Sequence, residues 1–234
     1  SQASEALTRF VDQTGIPFYT TPQGRGVIPE DHRYCYLNAR THAFRDADVV
    51  LIVGTRVNYV LSHLKAPRFN GNAKIIRIDI DPTEVASTPR LDVALVGDAR
   101  CVLEQLVQAN ERRLSADRFE PWRKTLSDLH AKRAMAQEPL LNSDRAPIHP
   151  LRLCREIRDF IDRDAVLVVD GQEILNFARQ SIPSFLPGHR LNSGTFGTMG
   201  VGLPYAWGAQ VACPERQVIC LHGDLLTPLP AKPG

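Results

Sequence analysis

The residues best suited to chemistry lie near the end of the chain. Six glycines crowd the stretch from Leu191 to Asp224, as expected where backbone turns tightly or approaches a ligand. An apolar strand predicted over 217–222 ends at Gly223-Asp224, and open α/β sheets bind ligands at the carboxyl ends of their strands. Mg²⁺ is usually held by one or two carboxylates plus substrate phosphates, so Asp224 is a candidate metal ligand. An ordinary turn is the alternative for a lone Gly-Asp pair.

Several further strand and helix patterns must position these residues. Apolar runs predict parallel strands over 49–53, 75–81, 93–96 and 166–169, with helical patterns between them, and those over 49–53 and 166–169 are expected to be buried. Strands that alternate with helices imply right-handed crossovers and a parallel sheet. We therefore predict an α/β fold of two doubly wound parallel-sheet domains, the second incomplete.

The predicted domain division lies near residue 140. The stretch from Glu138 to Pro150 contains three prolines and no hydrophobic periodicity, which indicates a linker. We predict a nucleotide-binding-like domain over 1–140, a partial cofactor domain over 141–224 and an irregular Pro-rich tail over 225–234. Within the first domain, Ile16 to Tyr19 is expected to form a short buried strand.

The strand ends of the first domain carry Gly54, then Asp79 with Asp81, then Gly97-Asp98. In doubly wound folds such ends line a nucleotide crevice, with an acidic group on the ribose hydroxyls. No G-x-G-x-x-G is present, so the standard dinucleotide fingerprint is absent from the sequence. A helix cap is the alternative role for Asp81.

The composition excludes several classes of protein. With 43% apolar and 23% charged residues and a net charge of +2, the sequence resembles an ordinary globular protein and gives no support to nucleic-acid binding. No run is apolar enough to span a membrane, and no signal peptide opens the chain, so a cytoplasmic location is expected. The five scattered cysteines indicate neither a zinc site nor a disulfide framework, and we expect reduced, mostly buried thiols.

The stretch 194–202, together with Gly223-Asp224, resembles the diphosphate-binding domain of thiamine-diphosphate enzymes of the acetolactate synthase superfamily. This resemblance implies thiamine diphosphate and Mg²⁺ as cofactors, with Asp224 on the metal and Met199 under the bent cofactor. The cofactor-binding residues that it implies are Gly171, Gln172, Glu173, Gly197, Thr198, Met199, Gly223 and Asp224. Position 225 is Leu where the family has Gly, and many relatives have Ala-Asn at positions 172 and 173. For Glu173 the alternative is an acid in the first turn of a helix, stabilised by the helix dipole.

The earlier part of the chain resembles the middle domain of 2-hydroxyacyl-CoA lyases and oxalyl-CoA decarboxylases. The resemblance rests on 21–29, 38–40, 47–50, Arg56-Val57-Asn58-Tyr59 with His63, and 78–84, and overall it covers nearly all of 8–224. It implies a site for ADP or FAD in the middle domain and for the phosphate of CoA. The candidate residues are Gly54, Arg56, Asp79, Ile80, Asp98 and Arg179. A surface arginine is the alternative for Arg179.

The resemblance implies a thiamine-diphosphate- and Mg²⁺-dependent lyase or decarboxylase that cleaves a carbon–carbon bond of a 2-hydroxyacyl-CoA or oxalyl-CoA. Acetolactate synthase-like transfer on a 2-keto acid, or a non-catalytic nucleotide-binding module, are the alternatives. The intact parent is expected to be a homodimer or homotetramer. The family's activating glutamate precedes Ser1 and its Asn ligand does not follow Asp224 here, so we expect this polypeptide by itself to be inactive, with no catalytic residue of its own.

Overall fold

The computed structural model describes residues 2–110 and 114–223. The chain divides into two compact units. Unit 1 consists of Ser1–Tyr19 and Arg33–Arg133, and unit 2 consists of Thr20–His32 and Ala134–Gly234. Each unit contains a small parallel sheet with helices, which confirms the predicted α/β class. The position of the domain boundary stays a prediction.

Unit 1 is built on a three-stranded parallel sheet in the order β1-β2-β3. Its regular elements are α1 (Ser4–Thr14), α2 (Arg40–Asp46), β1 (Val49–Val53), β2 (Lys74–Asp79), α3 (Pro82–Ala86), β3 (Leu91–Val96) and α4 (Ala99–Ala109). The expectation that 49–53 is buried on both faces is wrong, because β1 lies at the edge of this sheet and only Ile52 of its five residues is buried. Phe10 of α1, Ile78 of β2 and Leu103 of α4 meet in one buried cluster, so these two helices cover one face of the sheet.

The ends of the helices in unit 1 follow local chemistry. Helix α1 stops at Gly15, which has the left-handed φ of 69° that favours glycine. Asp81 accepts a hydrogen bond from the Thr83 amide at 2.8 Å, and Asp98 accepts one from the Arg100 amide at 2.9 Å. Both carboxylates are therefore N-caps, of α3 and α4.

The short strand predicted over Ile16 to Tyr19 is wrong, since these residues form no strand. Their apolar side chains pack against other side chains, and their backbone does not pair with a strand. Tyr19 meets the ring of Phe44 edge-on, with centroids 5.5 Å apart, and it also packs beside Leu126. Burial raises the pKa of the Tyr19 hydroxyl well above its ordinary value.

Unit 2 contains a second three-stranded parallel sheet, in the order β5-β4-β6. Its elements are α6 (Pro150–Phe160), β4 (Val166–Asp170), α7 (Glu173–Ser181), β5 (Arg190–Leu191), α8 (Gly202–Ala212) and β6 (Val218–His222). All five residues of β4 are buried, as the continuous apolar run predicts for a central parallel strand. Its side chains Leu167 and Val169 pack with Cys154 and Ile182 in the core of the unit.

The predicted linker from Glu138 to Pro150 is partly helical. Helix α5 (Glu120–Leu141) continues through Pro139 to its end. The amide of Asn142 still donates to the Glu138 carbonyl at 3.0 Å, and its side chain bonds to the Glu138 carboxylate at 2.7 Å. These bonds extend the helix over sequence that lacks hydrophobic periodicity, whereas 142–149 is irregular.

Helix α8 is mostly apolar and has no charged residue. One part of it packs on β4 and β6. The rest leaves large side chains in solvent, with Trp207 78% and Val211 71% exposed. No helix in the described ranges is long and apolar enough to cross a membrane.

The five cysteines are all free thiols, but only Cys35 and Cys154 are buried. The expectation of mostly buried thiols is therefore wrong. Cys101 lies on the exposed side of α4, away from the packed face of that helix.

Candidate functional site

The glycine-rich segment 194–201, here called the glycine loop, connects β5 to α8 in unit 2. Its start is fixed by Asn192, which is buried. The side-chain oxygen of Asn192 accepts the Gly194 amide at 2.7 Å and the side-chain amide of Gln23 at 3.2 Å. Gly194 has φ of 59°, a conformation open to glycine at no steric cost.

The far end of the glycine loop is fixed by Asp170, the last residue of β4. This carboxylate is only 3% exposed, and one of its oxygens accepts the Gly202 amide at 2.7 Å. A Cβ on Gly202 would lie 2.8 Å from the Asp170 Cβ and 3.1 Å from the Cys220 sulfur, so only glycine fits there. Burial, and then the Asp170 carboxylate, raise the pKa of the Cys220 thiol.

Between these two anchors the glycine loop is open to solvent. Phe196 is 90% exposed and Met199 is 67% exposed. Gly197 and Gly200 have φ of 69° and 88°, and no atom of the described chain lies within 4 Å of the position of a Cβ on either. A loop held at both ends that shows large apolar side chains to solvent has the character of a ligand-binding surface.

The strand ends of unit 2 lie next to one another. The register pairs Asp170 of β4 with His222 of β6, so Gly171 and Gly223 follow at the same edge of the sheet. Gln172 and Glu173 are exposed at the start of α7, and no side chain caps that helix. Uncapped amides at a helix start attract anions such as phosphate.

The candidate nucleotide residues of unit 1 also share one sheet edge, because β1, β2 and β3 are parallel. Gly54 follows β1 with open space around it, and Ile80 follows β2 with 69% of its side chain exposed. Asp98 caps α4. Arg56 is 80% exposed and forms an ion pair with Glu84 at 3.2 Å.

Asp79 has a structural partner. The buried guanidinium of Arg77 donates to the Asp79 carboxylate at 2.8 Å and to the Glu84 carboxylate at 3.1 Å. The second oxygen of Asp79 accepts the Asp81 amide at 3.2 Å. Both carboxylate oxygens of Asp79 are therefore engaged within the protein.

Two predicted residues lie apart from these edges. Arg179 is half-buried on α7, where it donates to the side-chain oxygen of Asn176 at 2.9 Å. Asp224, the predicted metal ligand, lies outside the described residues. Among residues 2–110 and 114–223, no group of three or more His, Cys, Asp or Glu side chains is arranged to hold a metal.

Comparison with known families matches both units. The model of the thiamine pyrophosphate enzyme central domain covers residues 1–106, and that of the C-terminal TPP-binding domain covers 172–225. The chain belongs to the thiamine pyrophosphate enzyme family. The glycine loop lies within the second match, which is the TPP-binding domain.

Curated relatives of this family match almost the whole chain. Human 2-hydroxyacyl-CoA lyase 1 is 32% identical over 231 residues, which is 96% of this chain and 40% of the human protein. A probable acetolactate synthase of Mycobacterium bovis is 33% identical over 223 residues, 95% of this chain and 39% of the relative. Oxalyl-CoA decarboxylase of Escherichia coli is 30% identical, over 96% of this chain and 40% of the enzyme. The chain thus spans about 40% of the length of these relatives.

The described residues of unit 2 fit thiamine diphosphate. The glycine loop offers backbone without obstructing Cβ atoms and an exposed Met199, which suits a flat, largely apolar ring. The uncapped start of α7 suits a diphosphate. Unit 1 fits a nucleotide less well, because Asp79 and Asp98 already accept hydrogen bonds from the protein.

Sequence reasoning missed the two anchors of the glycine loop, Asp170 and Asn192, and also Gln23, which bonds to Asn192. The sequence did contain one signal for Asp170, because this carboxylate ends a fully apolar run. A carboxylate at the end of a buried strand needs a hydrogen-bond donor nearby. Nothing in the sequence pairs Gln23 with Asn192, which lie 169 residues apart.

Proposed function

We propose that unit 2 binds thiamine diphosphate, with its ring against the glycine loop and its diphosphate near Gly171, Gln172, Glu173 and Gly223. The observation that carries this proposal is the loop itself. It is fixed at Gly194 and Gly202 and leaves Met199 exposed between them. We further propose that Asp224 holds a Mg²⁺ ion on the diphosphate, the usual way in which this ion is bound.

Bound thiamine diphosphate supplies an electron sink for cleavage of a carbon–carbon bond. The chain's own part is to hold and orient the cofactor. Gly197 and Thr198 would offer backbone and a hydroxyl to the cofactor ring, and Met199 would offer it an apolar contact. Asp170 keeps the end of the loop in place through the Gly202 amide.

For the whole protein we propose cleavage or decarboxylation of a 2-hydroxyacyl-CoA or oxalyl-CoA. The names of the relatives from human and Escherichia coli support this substrate class. Acetolactate synthase-like transfer on a 2-keto acid is the second candidate, because the Mycobacterium bovis relative is equally similar. A cytoplasmic homodimer or homotetramer completes the proposal. In unit 1 we propose ADP or FAD near Gly54, Arg56, Asp79, Ile80 and Asp98, and in unit 2, as a separate contact, the phosphate of CoA near Arg179.

Calorimetric titration of the chain with thiamine diphosphate and Mg²⁺ tests the cofactor site. We expect binding by the unchanged chain and an affinity about 5- to 30-fold lower for Gly197→Ala. A left-handed residue with a Cβ costs about 1–2 kcal/mol, so the free loop of this variant relaxes to another conformation and must recover the strained one to bind. The matched control is Gly208→Ala, a glycine in α8 with equally open surroundings but within a helix. Failure of the unchanged chain to bind, or equal loss in both variants, contradicts the proposal.

A further inference from the structure

The segment Thr20–His32, here called the strap, belongs to unit 2 although it precedes most of unit 1 in sequence. It lies against the turn that follows α7. Gly26 has φ of 80°, and a Cβ there would lie 2.2 Å from the Leu186 carbonyl oxygen. The strap and this turn therefore touch backbone to backbone.

A buried ion pair holds the strap in place. Arg25 donates from Nε to the Glu30 carboxylate at 2.8 Å, and the two side chains are 5% and 0% exposed. Glu30 also accepts the Ser184 amide at 2.8 Å, while its own amide donates to the Ser184 carbonyl at 3.0 Å. Glu30 is thus bonded to Ser184 twice, once through its side chain and once through its backbone amide.

The same cluster reaches the strand that leads into the glycine loop. The Ile182 carbonyl accepts from Arg25 Nη2 and from Arg190 Nη1, each at 3.1 Å. Arg190 is the first residue of β5, two residues before Asn192. Arg25 and Arg190 therefore share one acceptor, and the strap and β5 are fixed to the same point.

One side chain of the strap bonds to the anchor of the glycine loop. The Gln23 amide donates to the Asn192 oxygen at 3.2 Å, and the same oxygen accepts the Gly194 amide at 2.7 Å. A Cβ on Gly194 would lie 2.9 Å from Gln23 Nε2, so the Gln23 side chain also lies close beside the first residue of the glycine loop. The Asn192 oxygen can serve both donors only in one amide orientation.

We propose that Gln23 is a positioning residue for the cofactor loop: it fixes the Asn192 side chain so that Asn192 holds the Gly194 amide. The part of this proposal that concerns the cofactor rests on the proposed function, whereas the part that concerns loop order does not. Because Gln23 is exposed, its removal leaves no cavity in the core. The effect should appear in the loop and leave the fold of the unit intact.

Hydrogen exchange of the Gly194 amide in the cofactor-free chain tests the first part. We expect Gln23→Ala and Gln23→Glu to speed this exchange about 2- to 10-fold, the factor that corresponds to one neutral hydrogen bond. Glu keeps the length of the side chain but lacks the donor, so it separates the bond from the packing. Unchanged exchange in both variants overturns the proposal.

Calorimetric affinity for thiamine diphosphate tests the second part. We expect both Gln23 variants to bind about 2- to 10-fold more weakly, with melting temperatures within about 2 °C of the unchanged chain. The matched control is Gln137→Ala, which removes a similar side-chain bond, to Gln180 at 3.0 Å, elsewhere in unit 2. It should alter neither exchange nor affinity.

The outcomes separate the two proposals. If the unchanged chain binds and the Gln23 variants bind equally well, the positioning role fails while the cofactor site stands. If the unchanged chain does not bind, the cofactor site fails, and accelerated exchange in the Gln23 variants still supports the contact between strap and loop.

Discussion

Each unit buries arginine near its sheet, but the two clusters have opposite charge balance. In unit 1 one buried guanidinium, that of Arg77, meets two carboxylates, Asp79 and Glu84, and the only other cation paired there among the described residues is the exposed Arg56. In unit 2 two guanidiniums, Arg25 and Arg190, lie beside the one carboxylate of Glu30. Burial first, and then the charge of Arg25, lower the pKa of Arg190 to about 9, while Glu30 opposes the shift.

This difference shows that a carboxylate at a strand end can serve structure as readily as a ligand. Asp79 lies where a ribose-binding acid is expected, and it balances Arg77. In unit 2 the buried charges hold backbone around Ile182 and Ser184, and the glycine loop keeps its surface exposed. We therefore expect the stability of unit 2 to depend strongly on Glu30, its only buried acid in this cluster within the described ranges. The stability of unit 1 should depend on Arg77, the only buried base in the described part of its cluster.

The largest expected effect comes from Glu30→Gln. This change leaves two buried guanidiniums without a carboxylate, and such a loss costs about 3–5 kcal/mol of unfolding free energy. Urea unfolding followed by hydrogen exchange in β4 measures it. Asp31→Asn is the matched control, because the Asp31 pair with Arg163 at 2.8 Å is about half exposed and should contribute less than about 1 kcal/mol. A loss below about 1 kcal/mol in Glu30→Gln contradicts the comparison.

Arg77→Met should follow, with a loss of about 2–3 kcal/mol. The effect is smaller because Asp79 and Glu84, at 13% and 27% exposure, retain some contact with water. Trp122 of α5 packs with the core of unit 1 and reports its unfolding by fluorescence. Arg56→Met removes an exposed partner of Glu84 and should cost less than about 1 kcal/mol. Equal losses in the two variants would show that burial of Arg77 has no special effect.

Arg190→Met sharpens the contrast, because it removes a positive charge from the cluster that has an excess. The remaining Arg25 and Glu30 form a balanced pair, so we expect a change of less than about 1 kcal/mol in either direction. Urea unfolding measured side by side with Arg77→Met gives the answer. A loss of about 3 kcal/mol or more would mean that the bond to the Ile182 carbonyl outweighs charge balance.

The smallest expected effect is a loss of stability of unit 1 at acid pH. Burial holds the pKa of His130 below its ordinary value of 6.5, and its Nδ1 accepts the Asn38 amide at 3.2 Å. The unfolded chain therefore takes up this proton more readily, and the stability of unit 1 falls as the pH drops below about 6.5. Trp122 fluorescence between pH 7 and pH 5 follows this loss, and His130→Asn should flatten the profile. An unchanged profile in that variant assigns the loss to other groups.

The sequence predicted most strands and helix starts, because these depend on neighbours. The strand over Val49 to Val53, the helix from Ala99 and the cap at Asp81, which the sequence offered as an alternative, are set by local chemistry. The cap at Asp98 was not predicted. The strand expected at Ile16 to Tyr19 failed because Tyr19 packs by its ring and not by its backbone.

The anchors of the candidate site escaped prediction for a different reason. Asp170 meets Gly202 across 32 residues, and Glu30 meets Ser184 across 154. Such bonds depend on how the chain folds back on itself, and hydrophobic periodicity contains no signal for them. The two glycines of α8 look alike in the sequence but differ in the structure. Gly202 is required by its close contact with Asp170, whereas Gly208 faces open space.

The exposed apolar surface of helix α8 should also affect how the chain behaves during purification. Eleven successive residues without charge, with Trp207 and Val211 in solvent, form a surface that favours adsorption to phenyl resins and to other copies. A net charge of only +2 provides little colloidal repulsion between molecules. We therefore expect precipitation at low ammonium sulfate concentration, and a charged residue at position 207 should raise the salt concentration needed to cause it.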